Sequence, residues 1–241
     1  MNPDKFLEQQ KYYEAARGFL HKFQTNSGKI HKDDAGAPLG PDELRDLGLA
    51  ISSCTMETRS VHKSNVKSFW SQLVSIVEPY KTDLSMLPEF ELYPYVVDSF
   101  SKNKLIKPSN NSWQRLSGPP RVHLGEVVSA ITQTLKCETA EVRSAMLVHN
   151  IVAASTYYQN IYLDSLAALL DVAPRDAERA VAKLIIDKTI DATIDKLAAD
   201  PTGGVSCLIA FSGATTDDNF NDSLFRLCKE VSNCVDAAQS K

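Results

Sequence analysis

Apolar residues recur at steps of three and four residues through most of this chain, and this spacing is typical of amphipathic helices. The first predicted helix begins near Pro3 and gathers one apolar face: Phe6, Tyr13, Ala16, Leu20 and Phe23. A segment rich in glycine, aspartate and proline, residues 28–41, is predicted to end it, and Pro41 suits the first turn of the next helix. Further helices are predicted around residues 66–77, from Pro94 and over residues 124–135. Because short helix pairs stack into solenoids, residues 1–140 are predicted to form a TPR-like helical-repeat region.

After Ala140 the order of predicted elements changes. It becomes a helix over 141–158, a short strand over 160–162, helices over 165–170 and 174–188, and strands over 189–194 and 205–211. Asp164 is expected to cap the second of these helices, and Pro174 is expected to open the third. Glycine and proline between the last two strands predict a hairpin turn. This order predicts a winged helix with a small three-stranded sheet over residues 141–212.

The end of the chain, residues 213–241, is predicted to be a linker and a terminal helix. Apolar residues there alternate at four- and three-residue steps, which is a heptad-like seam typical of helices that pack on other helices. The seam is our candidate helical-bundle interface: Phe220, Leu224, Leu227, Val231, Cys234 and Ala238.

The strands of the winged helix supply a second candidate surface, because an unpaired strand edge can be covered by a neighbouring protein. The residues of this candidate winged-helix interface are Ile190, Thr193, Ile194, Val205, Leu208 and Phe211. The alternative is that both sets of residues pack within this chain alone.

Motifs for catalysis, metals and cofactors are absent from the sequence. It has no phosphate-binding glycine loop, no CxxC and no HxH or HExxH, and its five histidines are scattered. His149 lies among apolar residues of a predicted helix and is interpreted as a packing residue. Asp217 and Asp218 precede a predicted helix, where carboxylates favour the positive end of the helix dipole. We therefore predict a protein that is not an enzyme, with no catalytic residues, no metal and no cofactor.

Charge and composition limit the classes of partner that this chain is expected to bind. Twenty-six basic and thirty acidic residues give a net charge of −4, which argues against a general polyanion binder. The helix over 174–188 balances basic against acidic residues, and the predicted hairpin carries three aspartates with one lysine. A winged helix can place its second helix in a DNA groove, so a nucleic-acid-binding protein is the lower alternative. No nucleic-acid partner is expected, however, since negative charge beside phosphate weakens binding. The polar start and the lack of a long apolar run predict no membrane partner, a cytoplasmic and nuclear location, and reduced cysteines.

The second half of the chain resembles the PCI domain shared by the proteasome lid, the COP signalosome and translation initiation factor three. An apolar helix reaches the pair His149 and Asn150 and runs on to Tyr157 and Ile161, as in that family. The likeness continues through residues 166–170, 173–178 and 194–195. Of the family's branches, the signalosome fits first and the proteasome lid second.

The resemblance implies a non-catalytic scaffold in a large complex. Its partners would be other PCI and MPN subunits, with cullin-RING ligases reached indirectly, and catalysis would belong to a separate zinc isopeptidase subunit. Two departures from the family pattern are expected to matter. The family's long N-terminal helical arm has no counterpart in this sequence, and the turn over residues 197–204 is longer than the family's tight turn.

Overall fold

The computed structural model describes residues 2–33, 39–57, 64–106, 123–199 and 205–212. Its first part is helical: α1 (Pro3–Glu8), α2 (Tyr12–Asp33), α3 (Pro41–Met56), α4 (Ser64–Val77), α5 (Lys81–Ser85), α6 (Tyr93–Ser101) and α7 (Leu124–Leu135). Single 3-10 turns at Glu78–Tyr80 and Pro88–Phe90 flank α5. The second part contains α8 (Thr139–Tyr157), β1 (Asn160–Tyr162), α9 (Leu163–Leu170), α10 (Pro174–Ile186), β2 (Ala192–Ala199) and β3 (Val205–Phe211). The protein is therefore mainly helical with one small sheet.

The sheet is antiparallel, and its strands lie in the order β1, β3, β2. β3 is the central strand: Ile209 pairs with Ile161 of β1 and with Ile194 of β2. Between Asp195 and Ala198 the register of β2 shifts, so β2 contains a bulge. Together with α8, α9 and α10, these strands form the predicted winged helix.

Among the described residues, three hydrophobic clusters make up the core. One joins α2, α3, α4 and the turns around α5, with Phe19, Leu47 and Leu73 at its centre. A second lies inside the winged helix, around Leu166, Val181 and Ile209. The third connects the helical region to α8, so it spans the predicted boundary at residues 140 and 141: Tyr12, Met56, Val96, Ile106, Val127, Val128, Ile131, Leu135, Val142, Ala145 and Met146. Both parts of the described chain therefore share one packed connection through α8.

The start of the chain differs from the sequence prediction. The expected first helix is two helices, because the chain turns between Glu8 and Tyr12 and Gln10 adopts a positive φ of 55°. The turn lets α1 fold against α2, where a Cβ on Gly18 would lie 2.9 Å from the Cβ of Pro3. The expected break at Gly28 was wrong, since α2 continues to Asp33. A helix can carry an internal glycine at a cost of about 1 kcal/mol.

Within the winged helix, the start of α9 and the end of α10 lie earlier in the chain than predicted. α9 begins at Leu163, so Asp164 lies in its first turn and is not its cap. α10 ends at Ile186, two residues earlier than predicted, and β2 begins at Ala192. The backbone N–H groups of Thr189 and Ile190 both donate to the carbonyl of Leu184, at 2.8 and 3.4 Å. These residues therefore close the end of α10 and cannot extend the strand.

Several predictions lie outside the described residues: the loop over 107–120, the turn over 200–204, the linker and the terminal helix. Within the described part of the chain, no helix is long and apolar enough to cross a membrane.

Candidate functional site

A metal-binding cluster is missing from the part of the chain that the structure describes. Among those residues, no group of three or more histidines, cysteines, aspartates or glutamates could hold a metal ion. An open cleft of about 820 Å³ runs along α7 and the turn at Pro88–Phe90, and its lining contains Arg45, Glu89, Glu126, Ser129 and Lys136. No histidine, cysteine or aspartate lines this cleft.

The pair His149 and Asn150, on which the family resemblance rests, forms a built site at the junction of the two parts. Asn150 makes two hydrogen bonds to one residue: its Oδ1 accepts from the N–H of Ile106, and its Nδ2 donates to the carbonyl of Ile106, both at 2.9 Å. Asn150 and Ile106 are both buried. These two bonds supply partners to the buried backbone N–H and carbonyl of Ile106, in place of the partners that a strand or helix would provide.

His149 extends the same contact. Its Nε2 donates to the carbonyl of Lys104 at 2.9 Å, and its ring stacks on Phe100 with 4.0 Å between ring centroids. Burial lowers the pKa of His149, because the charged imidazolium is disfavoured away from water. The interpretation of His149 as a packing residue is therefore confirmed. Together the two side chains fix the segment that follows α6 onto α8, and we call this contact the junction clamp.

A second link joins the N-terminal turn to α8. Tyr12 donates from its hydroxyl to Glu141 Oε2 at 2.7 Å, and Gln10 donates to the other oxygen of the same carboxylate. Burial and the hydrogen bond to Glu141 raise the pKa of Tyr12. The start of α8 is thus tied to the first helices by polar contacts, and its middle is tied to the segment after α6 by the junction clamp.

The candidate winged-helix interface divides between core and surface. Ile190 and Phe211 are 8% and 5% exposed and belong to the hydrophobic cluster of the winged helix, so these two side chains are not available to a neighbour. Ile194 and Leu208 are half-buried and Thr193 is exposed. The side chain of Val205 lies outside what the structure describes. An interface formed by the remaining residues stays a prediction.

β2 is one of the two edge strands of the described sheet, together with β1, and it carries two of the candidate interface residues. Among the described strands it pairs only with β3, so its other edge carries no strand there. Thr193 points outward between the inward-facing Ala192 and Ile194, as the two-residue period of a strand requires. Lys196 of the same strand binds Glu178 of α10 at 2.6 Å and so holds the hairpin against the helix.

The helical-bundle candidate, Phe220, Leu224, Leu227, Val231, Cys234 and Ala238, lies outside the described residues, and its role stays a prediction. The hydrogen bonds that Asn150 and Glu141 form with distant residues were not predicted from the sequence. A pair of polar residues inside an apolar stretch, such as His149 and Asn150, indicates that their side chains are hydrogen-bonded, since buried polar groups require partners. The partners themselves are 44 and 129 residues away along the chain and leave no local pattern.

These features define a class of protein: a helical region clamped to a winged helix, with no metal-type cluster of histidine, cysteine, aspartate or glutamate in the described residues. The comparisons with known proteins agree with this class. Residues 128–199 match the family model of the PCI domain, which supports the family predicted from the sequence. Over 62 residues the chain is 42% identical to "26S proteasome non-ATPase regulatory subunit 12" of Dictyostelium discoideum. That match covers 26% of this chain and 14% of the relative.

Proposed function

We infer that this chain is a non-catalytic scaffold subunit of a large complex built from PCI-containing proteins. The observation that carries the proposal is the PCI match over residues 128–199, which runs from within α7 through α8 and the winged helix to the end of β2. The lack of a metal-type cluster among the described residues is consistent with a subunit that positions others.

The complex we propose first is the proteasome lid. The 42% identical relative is named as non-ATPase regulatory subunit 12 of the 26S proteasome, and this favours a proteasome scaffold over a signalosome one. The sequence likeness suggests the fifth non-ATPase subunit of the lid as the counterpart. The second candidate is the COP signalosome, with its fourth subunit as the counterpart and cullin deneddylation as the process it would support. It rests on sequence likenesses at residues 53–56, 92–94, 107–108 and 227–228.

The proposed contacts use two surfaces. The unpaired edge of β2 would lie beside the winged helix of a neighbouring PCI subunit, and the terminal helix would bury its seam in a bundle with other subunits. MPN subunits of the same complex would supply any isopeptidase chemistry. Cullin-RING ligases would be reached only through the complex, and the cytoplasm and nucleus are the proposed location.

Affinity purification of the tagged full chain from its native cells, followed by mass spectrometry, tests this function. We expect other lid subunits in near-equal amounts. Signalosome subunits in their place would transfer the proposal to the second candidate. Recovery of the chain alone, or stoichiometric zinc together with hydrolytic activity in the purified chain, would contradict the scaffold function.

A further inference from the structure

The outward face of α10 carries a row of basic side chains. Arg175, Arg179 and Lys183 are all exposed and follow one another at four-residue steps, which places them on one side of the helix. The opposite side of α10 is buried in the winged-helix core through Ala177, Val181 and Leu184. The first and last of the three cations are eight residue steps apart, about 12 Å along the helix axis.

An apolar side chain continues this row. Ile186 lies three residues beyond Lys183 and is 78% exposed, in contrast to the buried leucine two positions before it. A single exposed isoleucine is common on protein surfaces. Beside a row of cations, however, it offers an apolar contact in register with the charges. We call the four residues Arg175, Arg179, Lys183 and Ile186 the α10 face.

Neighbouring carboxylates do not cancel this charge. Asp176 lies 3.6 Å from Arg179, with both side chains mostly exposed, so this pair is weak. Glu178 is occupied by Lys196 of β2. Within the described part of the chain, Arg175 and Lys183 form no ion pair. The α10 face is therefore locally positive in a chain whose net charge is −4.

The surroundings favour a protein partner over a nucleic acid. The ion pair from Glu178 to Lys196 brings β2 beside α10, and this strand exposes Asp195. Asp171 and Asp187 are exposed just beyond the two ends of α10. A phosphate backbone that ran along the helix and past both of its ends would meet these carboxylates, whereas a short helix can place its own carboxylates only opposite the three cations. The phosphate backbone would also gain nothing from Ile186. A short acidic helix with one apolar residue matches both the charges and the isoleucine.

We propose that the α10 face docks an acidic amphipathic helix of a partner protein, with carboxylates at four-residue steps opposite the three cations and an apolar side chain on Ile186. The residues of this surface are not among those assigned to the β2 edge or to the predicted terminal helix. Its test can therefore fail while the scaffold function holds, and the reverse is also true.

The experiment is a titration of the full chain against a fluorescent synthetic helix of about sixteen residues. The peptide carries glutamates at three successive four-residue steps and a leucine three residues beyond. We expect saturable binding by fluorescence anisotropy that weakens as salt is raised, because exposed charges are screened. A scrambled peptide with the same composition should bind at least about tenfold more weakly, since only the ordered helix matches the spacing.

Two triple variants locate the site. Arg175→Glu with Arg179→Glu and Lys183→Glu should weaken peptide binding by about tenfold or more. The matched control is Lys5→Glu with Lys11→Glu and Arg143→Glu, three exposed cations elsewhere, which changes the net charge equally and should leave the affinity nearly unchanged. Equal losses in both variants would overturn the proposal. Ile186→Ser should weaken binding by about threefold without altering the salt dependence, because it removes apolar contact only.

A photo-crosslinking residue at Ala182, half-buried beside the row, distinguishes the other occupants. Cross-links to the added peptide support the proposal. Cross-links to residues 213–241 of the same chain, or to a second copy, would overturn it, as would tighter binding to a DNA or RNA duplex than to the peptide.

Discussion

At the scale of single residues, the packing of Gly48 is the most demanding. A Cβ at this position would lie closer to the ring of Phe90 than real contacts allow. We therefore expect Gly48→Ala to lower the free energy of unfolding by about 1–3 kcal/mol, because an overpacked core must shift. Gly125 is the matched control, since a Cβ added there would meet nothing within 4 Å. Gly125→Ala should be neutral or stabilise by up to about 1 kcal/mol. Urea denaturation of both variants measures the difference, and equal effects would contradict it.

Asn150 is expected to contribute more to stability than its size suggests. Asn150→Ala removes both hydrogen bonds to Ile106 and leaves a buried N–H and a buried carbonyl without their partner. Each unsatisfied group costs about 1–3 kcal/mol. Gln133→Ala removes an exposed amide that donates to Ser129 at 3.2 Å. It should change the free energy of unfolding by only a few tenths of a kcal/mol. Similar losses for the two variants in thermal or urea unfolding would show that the junction clamp is not stabilising.

His149 makes stability depend on pH. Its pKa in the folded chain lies below its ordinary value of 6.5, so the unfolded chain binds the proton more readily. Stability is therefore full above about pH 6.5 and is lost as the pH falls below it, at up to about 1.4 kcal/mol per pH unit. His149→Gln should flatten this part of the profile. The check is urea unfolding of both proteins between about pH 5 and 7.5, and parallel profiles would contradict the assignment.

The sequence predicted the role of His149 but not the identity of its contacts. A histidine between valine and isoleucine in a helical period indicates packing, and His149 is indeed buried. His149 stacks on the ring of Phe100 and donates to the carbonyl of Lys104. Both residues precede it by more than 40 positions in the sequence, with residues 107–122, which are not described, in between. Local pattern cannot supply contacts of this kind, since they depend on how distant helices meet.

At the scale of elements, the ends of α9 and α10 allow a paired test. Both helices end at an exposed aspartate, but Asp171 adopts φ 55° whereas Asp187 adopts φ −73°. Glycine is favoured at the first position only, because a positive φ costs it nothing. We expect Asp171→Gly to stabilise by up to about 1 kcal/mol relative to Asp187→Gly. Each change removes one negative charge from a helix C-terminus, so the pair cancels the dipole effect. Thermal unfolding measures it, and equal shifts would contradict it.

Element type was easier to predict than element ends. The helical period around Leu124–Leu135 and the strand composition of Val205–Phe211 depend on side-chain spacing alone, and both predictions are confirmed. The turn at Gln10 and the closing bonds of Thr189 depend on tertiary contacts. For the same reason the inward packing of Phe211 was not predicted, because an aromatic residue fits either face of a strand until the register is known. Ile190 was predicted as a strand residue, but it precedes β2 and closes the end of α10.

At the scale of the whole molecule, α8 is the connecting element. It contributes Val142 and Met146 to the cluster shared with the helical region, and Ile151 and Ala154 to the winged-helix cluster. Because it is buried around much of its circumference, its apolar residues show little of the one-sided period that marked the other helices. A mutation in the junction clamp should therefore be felt in both parts of the described chain.

The terminal helix is expected to act in assembly. Leu224→Asp with Leu227→Asp would place two charges on the predicted seam, at a cost of several kcal/mol if the seam is buried between subunits. The sequence between β3 and this helix, residues 212–216, is rich in small and polar residues and suits a linker. We therefore expect the purified variant to melt nearly as the parent does while partner subunits fail to co-purify.

The control for this variant adds the same two charges away from the seam. Ser232→Asp with Asn233→Asp lies on other sides of the predicted helix and should leave co-purification unchanged. Loss of partners in both variants would point to net charge as the cause. If the seam variant unfolds the isolated chain and leaves no soluble protein, the helix packs within its own chain, because only an intramolecular contact couples its seam to the stability of the monomer.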